Sequence, residues 1–263
     1  MVWVAGHFGE WLQGRAGPDG AVALVTLACP VRGVAVAWCD DLTMTLSDPA
    51  GLIGADRAAR FLTTLGLPAR GTVTVTPDLP PGSGAGMSTA ALVALARAAG
   101  AAEDRIAAAC LAVEGAVDPL MLDAPDAVLW ASRRAVALTA LPPPPRAEII
   151  GGLWGAAERT DPADDAFAAV DDLIATWSRG PDLPGAARIA SLSAARSTAL
   201  RGPVGDPTAT LAVRLGALGW ARAHTGPARA LIYAPEQVPE GVEAALRETG
   251  YTHVLRFATG GRA

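Results

Sequence analysis

The stretch Pro80-Pro81-Gly82-Ser83-Gly84-Ala85-Gly86-Met87-Ser88-Thr89-Ala90 constrains this chain more than any other. Two prolines end whatever strand or helix precedes them, three glycines in five positions open backbone conformations closed to other residues, and an Ala-rich run follows. The pattern predicts a strand from Thr72 to Thr76, a loop, and a helix from Ser88 to Ala99. A loop of this kind entering a helix N-terminus gathers N–H donors and the positive end of the helix dipole around one point, which suits phosphate oxygens. Ser88 and Thr89 add hydroxyls able to meet phosphate or Mg²⁺. A plainer reading of the same residues is a flexible loop capped by Ser88.

Other glycine motifs fit less well. A dinucleotide fingerprint requires glycine at Met87 in one register and glycine or alanine at Thr89 in the other, and both registers fail. All 21 basic residues are arginine, so a lysine-bearing phosphate loop and Schiff-base chemistry are excluded. Gly86-Met87-Ser88-Thr89-Ala90 approaches the nucleophile elbow of a serine hydrolase, with alanine in place of the last glycine. An elbow turns sharply from strand to helix, whereas two prolines and a long loop separate Ser88 from the strand, so the hydrolase stands as a third alternative.

With 263 residues, 51% of them hydrophobic, the chain can bury one large core or two modest ones. No apolar run approaches the roughly 20 residues of a membrane span, and the N-terminus lacks the pattern of a secretory signal, so the expected compartment is the cytoplasm. Cys29, Cys39 and Cys110 are too scattered for a disulfide framework or a zinc site and are assigned to the core. A net charge of -5 with dispersed arginines argues against a nucleic-acid partner and for a small-molecule ligand.

Short extended segments at Val2 to Ala5, Val22 to Leu27, Val34 to Trp38 and Leu42 to Leu46 precede a helix from Ala55 to Leu65; a further helix is expected from Glu103 to Glu114. Strands and helices mix without strict alternation, which predicts an α+β fold. Pro142 to Pro145 cannot lie inside a helix or central strand and mark a domain junction, dividing the chain into 1–145 and 146–263. Beyond it, Phe167, Val170, Ile174 and Trp177 recur at helical spacing; further helices, a strand at Ala230 to Tyr233, a helix from Glu240 and a strand near His253 suggest a smaller α/β lobe. The tail from Gly260 to Ala263 is expected to fray. Trp3, Trp130, Trp177 and Trp220 read as core residues.

Three stretches resemble the GHMP superfamily of small-molecule kinases. The glycine loop is similar to its second motif, Pro-x-x-x-Gly-Leu-Gly-Ser-Ser-Ala-Ala, at Pro80, Gly84, Gly86, Ser88 and Ala90. Gly6-His7-Phe8-Gly9-Glu10-Trp11-Leu12-Gln13-Gly14 resembles the Gly-Thr-Cys-Gly-Glu-x-x-Gln-Gly opening of L-threonine kinases at Gly6, Gly9, Glu10, Gln13 and Gly14. Ala223-His224-Thr225-Gly226, followed by a small-residue turn and an apolar strand, resembles the third motif. The chain departs from the pattern at Met87, where the family has a serine, and at His7 and Phe8.

The resemblance implies a GHMP kinase fold, with an N-terminal lobe like domain 2 of ribosomal protein S5 and a ferredoxin-like C-terminal lobe. It implies ATP and Mg²⁺, with the nucleotide cradled by Pro81, Gly82, Ser83, Gly84, Ala85, Gly86, Met87, Ser88 and Thr89, and Ser88 as catalytic residue and metal ligand. Val117-Asp118-Pro119-Leu120-Met121 resembles a Thr-Asp-Gly-x-Met stretch of threonine kinases, making Asp118 the favoured catalytic carboxylate. Asp123 and Asp126 are alternatives, and all three aspartates can equally be turn caps beside Pro119 and Pro125. Glu10, Gln13, His224 and Thr225 would bind the acceptor, and Trp11 is the one tryptophan placed to touch a ligand. The implied acceptor is L-threonine, giving L-threonine O-3-phosphate for cobalamin synthesis, in a chain compatible with a homodimer. Homoserine, mevalonate-like and sugar acceptors, and a nucleotide binder that has lost catalysis, are the alternatives.

Overall fold

The computed structural model describes residues 1–260. Its centre is a long antiparallel hairpin, β1 (Val2–Ala16) and β2 (Ala21–Cys39), closed by a turn in which Gly20 N donates to Gly17 O at 3.1 Å. There follow β3 (Met44–Ser47), α1 (Ala55–Thr64), β4 (Gly71–Pro77), α2 (Met87–Ala98), α3 (Glu103–Glu114), β5 (Val128–Ala131) and β6 (Val136–Ala140). The remainder comprises β7 (Ala147–Leu153), α4 (Asp171–Trp177), α5 (Leu183–Arg201), α6 (Thr208–Arg214), β8 (Gly219–Arg222), β9 (Ala228–Tyr233), α7 (Val242–Glu248) and β10 (Thr252–Thr259).

The strands form one sheet in the order β10-β7-β9-β8-β1-β2-β4-β3, with β5 attached to β2 and to β6. The α+β expectation is met. Only β3 and β4 pair in parallel among these strands. Pro142 to Pro145 form an extended connection between β6 and β7, and the sheet continues across it because β1 pairs with β8 at Glu10 and Arg222.

The opening motif behaves differently from its glycine content. Gly6 to Gly14 is strand rather than loop, since β2 on one side and β8 on the other take up its backbone groups. The glycines instead accompany register shifts between Ala5 and Gly6, between His7 and Glu10 and between Glu10 and Leu12. Later, α4 begins at Asp171, leaving Phe167 outside it.

α2 is buried along nearly its whole length against the β1–β2 hairpin, and its alanines permit that close approach. The principal core extends from Val34 and Val75 to Ile149 and Phe257, and a smaller one gathers Ile150, Leu211, Trp220, Tyr233 and Tyr251. Trp130, Trp177 and Trp220 are core residues, as are Cys29 and Cys110. Trp3 is not: near the start of β1 it lies 46% exposed, with Nε1 donating to Asp78 at 3.4 Å. Cys39, the last residue of β2, is exposed as well. Trp11 is buried, its ring 5.8 Å from that of Trp177, and serves packing rather than a ligand surface. Residues 261–263, where most of the expected frayed tail falls, lie outside the described residues. Among the described residues no helix is long and apolar enough to cross a membrane.

One charged pair is built into the second half. Arg229 Nε of β9 donates to Asp206 Oδ2 at 2.6 Å, and both side chains are almost fully buried. Burial opposes the Asp206 charge, but Arg229 outweighs it and holds the carboxyl below its ordinary pKa. Removing one partner of such a pair costs about 3–5 kcal/mol, because the other is left uncompensated. Asp206→Asn should therefore lower unfolding free energy at pH 7 by about 3 kcal/mol in urea titrations. The stabilisation from a depressed carboxylate is complete above the unfolded pKa of about 3.9 and disappears as pH falls through the native value, so wild type and variant should converge in acid.

Candidate active site

The glycine loop leaves β4 and enters α2 with Gly82, Gly84 and Gly86 at φ of 73°, 74° and 68°. At Gly84 the requirement is also one of space: a Cβ there would stand 2.3 Å from Thr225 O, so only glycine lets the β8–β9 turn lie against the loop. Gly86 caps α2 without a side chain, leaving the first-turn N–H groups without a side-chain partner. The loop, the start of α2 and the β8–β9 turn enclose a cleft of about 240 Å³, to which His7, Glu114, Asp118 and Arg133 also contribute.

Two polar groupings lie side by side in this cleft, joined where Asp118 N donates to Thr89 Oγ1 at 3.5 Å. In the first, Ser88 Oγ donates a short hydrogen bond to Glu114 Oε1 at the end of α3, and Thr89 Oγ1 donates to Glu114 Oε2 at 3.3 Å. Arg57 of α1 reaches the same carboxylate, Nη1 to Oε1 at 3.3 Å, and Ser88 Oγ at 3.4 Å. Burial raises the Glu114 pKa, against the Ser88 hydrogen bond and the Arg57 charge.

The second grouping centres on His7. Its Nε2 lies 3.4 Å from Asp118 Oδ2 and its Nδ1 3.5 Å from Glu10 Oε1. Burial works against an imidazolium here, but the two carboxylates outweigh it and lift His7 to about 9. Asp118 is held below its ordinary value, burial being overcome by His7. Burial raises Glu10, with His7 opposing. On the opposite wall His224 is 8% exposed and stacked on Phe167, ring centroids 4.3 Å apart; burial first and Arg133 next lower it to about 3, so it is neutral.

The structure thus brings together Pro81, Gly82, Ser83, Gly84, Ala85, Gly86, Met87, Ser88, Thr89, Asp118, His224 and Thr225 around one cleft. Within that set Met87 is 3% exposed in the core, its Cε against Gly6, and supplies packing where a serine would supply a hydroxyl. Glu10 lies behind His7 at 1% exposure. Gln13 is buried between β1, α5 and β8, its Nε2 donating to Arg222 O at 3.0 Å and its N to Ser193 Oγ at 2.8 Å. Asp123 and Asp126 border a different cleft, with Trp3 and Arg97, which separates them from Asp118. Four residues of the site are not singled out as functional by sequence: His7, Arg57, Glu114 and Arg133. Only His7 carries a signal, lying inside the opening motif; the other three are single charges whose proximity to the loop depends on tertiary packing.

Ser88 and Glu114 are hard oxygen donors of the kind that hold Mg²⁺ together with substrate phosphates. Among the described residues no three His, Cys, Asp or Glu side chains are placed to hold a metal ion between them, so a divalent ion here would draw its remaining ligands from substrate and water.

No protein-family model matches the sequence, and no curated protein does. Solved structures do match. Mevalonate kinase from Methanococcus jannaschii superposes with a TM-score of 0.64 at 12% identity, over 98% of this chain and 96% of that one. L. major mevalonate kinase in complex with R-mevalonate gives 0.61 at 13%, over 98% and 94%. Homoserine kinase from Cytophaga hutchinsonii gives 0.57 at 15%, over 100% and 94%. The chain has the α+β fold of the GHMP kinases.

The two histidines of the cleft should titrate at opposite ends of the pH range. In NMR spectra of ring-labelled protein, His7 should remain an imidazolium at pH 7.5, whereas His224 should stay neutral down to about pH 4. A His7 titrating near the ordinary value of about 6.5 would show that it does not sit between two carboxylates.

Proposed function

We propose that this chain is an ATP-dependent kinase of a small hydroxylated metabolite, with L-threonine as acceptor and L-threonine O-3-phosphate as product. The observation that carries the reading is the placement of Ser88 with Glu114, and Asp118 with His7, in one cleft at the open N-terminus of α2. Fold likeness to mevalonate and homoserine kinases supports phosphoryl transfer to an alcohol. The choice of L-threonine comes from the resemblance of Gly6 to Gly14 to the threonine-kinase opening.

In this reading the backbone amides of Gly82 to Ser88 hold the phosphates, and Ser88 and Glu114 hold Mg²⁺. Bound Mg²⁺ neutralises charge on the phosphate oxygens. Arg57 balances Glu114, and the acceptor lies between lobes 1–145 and 146–263, both of which line the cleft. Asp118 accepts the proton of the acceptor hydroxyl as that oxygen bonds to the γ-phosphorus and the bond from the γ-phosphorus to the bridging oxygen breaks, releasing ADP. His7 keeps Asp118 ionised and oriented. A nucleotide binder that had lost catalysis would need the loop but neither of the two polar pairings, and both are intact here.

ADP formation from Mg-ATP should depend on L-threonine, with D-threonine, L-serine, L-homoserine and mevalonate compared in parallel. Asp118→Asn should reduce kcat by about 10²-fold or more, the range of general-base contributions, with ATP binding kept. A loss below tenfold would remove Asp118 from the chemistry. Silence with every acceptor, despite stabilisation of the fold by ATP, would favour the non-catalytic binder.

A further inference from the structure

We propose that Arg159 clamps the phosphates of a bound nucleotide, and that residues 154–170, which carry it, are a lid over the glycine-loop end of the cleft. That the nucleotide is also a phosphoryl donor rests on the kinase reading; its capture under the lid does not.

The segment joins β7 to α4 without helix or strand, apart from one bridge between Ala169 and Arg15. Irregular segments longer than about 12–15 residues are uncommon in compact domains and often serve as lids or binding loops. Its two ends are held differently. Over residues 167–170 it is docked: Phe167 is buried against His224 and Arg201, Arg15 N donates to Ala168 O at 2.8 Å, and Val170 N donates to Arg15 O at 3.1 Å. Residues 155–163 are exposed throughout and begin on Gly155, at a φ of 100° that suits a hinge. This outer stretch spans the mouth of the cleft. Glu158 N donates to Gly82 O at 3.0 Å, Arg159 Nη2 to Gly51 O at 3.4 Å, and Asp161 O accepts from Arg133 Nη2 at 3.1 Å. So few hydrogen bonds on so exposed a stretch put it at the low-stability end of the fold.

The lid lies where a nucleotide must pass. Glu158, Arg159 and Thr160 line the cleft with the glycine loop, and the enclosed space of about 240 Å³ is smaller than the roughly 300–1,000 Å³ of ordinary ligand pockets, so a nucleoside triphosphate enters only when the lid lifts. Closing again, the lid returns a cation to the phosphates. The chain has no lysine, Arg57 is matched by Glu114, and Arg133 is held by Asp161 O. Arg159 touches only the Gly51 carbonyl and has no carboxylate partner among the described residues, so its fork of donors is open to phosphate oxygens. Glu158 lines the cleft as well, and its charge is partly taken up by Arg222 in β8, whose cationic form it favours.

Trypsin provides the test, because Arg159 is the one basic residue between positions 154 and 170. Limited digestion of the full chain, read by mass spectrometry, follows the cut between Arg159 and Thr160 beside a control cut after Arg179, which is exposed and does not line the cleft. Saturating Mg-ATP should slow the first cut at least about fivefold and the second little. By calorimetry Arg159→Gln should bind Mg-ATP about tenfold more weakly and Arg159→Lys should recover part of the loss, with circular dichroism and melting reporting their folding. The proposal fails if Mg-ATP does not bind, if bound Mg-ATP leaves the cut at Arg159 as fast as before or slows both cuts alike, or if folded Arg159→Gln binds it as wild type does. ADP formation with the acceptors above separates the two readings: a protected, Arg159-dependent complex that turns over none of them keeps the lid and removes the kinase, whereas turnover without protection keeps the kinase and removes the lid.

Discussion

Three titratable side chains, His7, Glu10 and Asp118, meet at the central strand, and the arrangement of the site follows from how they are matched. Without the carboxylates the buried His7 imidazolium would be an uncompensated charge, and without His7 burial would push Glu10 further toward its neutral form. In a regular strand residues three apart point to opposite faces, so His7 and Glu10 could not meet. The register shift between them resets the alternation and brings Nδ1 and Oε1 to 3.5 Å. The irregularity of β1 is therefore what lets a strand residue reach Asp118 across the cleft and still rest on a carboxylate behind it.

The second half of the site is organised by a helix end rather than by a strand. α2 begins on a left-handed glycine, and its first hydroxyls converge on Glu114 from the end of α3. A chain without lysine must meet its anionic needs with guanidinium and imidazole, and both are used: Arg57 beside Glu114, His7 beside Asp118. Arginine keeps its charge at any working pH and presents several donors, so Arg57 can contact Ser88 and Glu114 at once.

What is legible in the sequence is what local rules decide. The glycine loop, α1, α2, α3 and β4 follow from turn chemistry, alanine propensity and alternation, and they appear where those rules put them. The loop's partners follow less completely: Asp118, His224 and Thr225 are reached through motif resemblance, whereas Glu114, Arg57 and Arg133 are lone charges with no pattern around them. Glycines flank Glu10 and Gln13, yet pairing with β2, joined by β8 at Glu10, makes their segment a strand. β6 is exposed along its whole length and so shows none of the alternation that marks a half-buried strand.

The single sheet has a consequence for how the protein is made. β1 pairs with β2 next to it in sequence, yet its second neighbour, β8, is more than 200 positions later, and Thr259 Oγ1 bonds to Ala28 O across 231 positions. Contacts of such span are slow to form and leave intermediates with open edges. Until β8 emerges, the strand that carries His7 and Glu10 has a bare edge and its charged residues lack one wall of their enclosure. The cleft, whose lining comes from both halves of the sequence, is thus among the last features of the molecule to be complete.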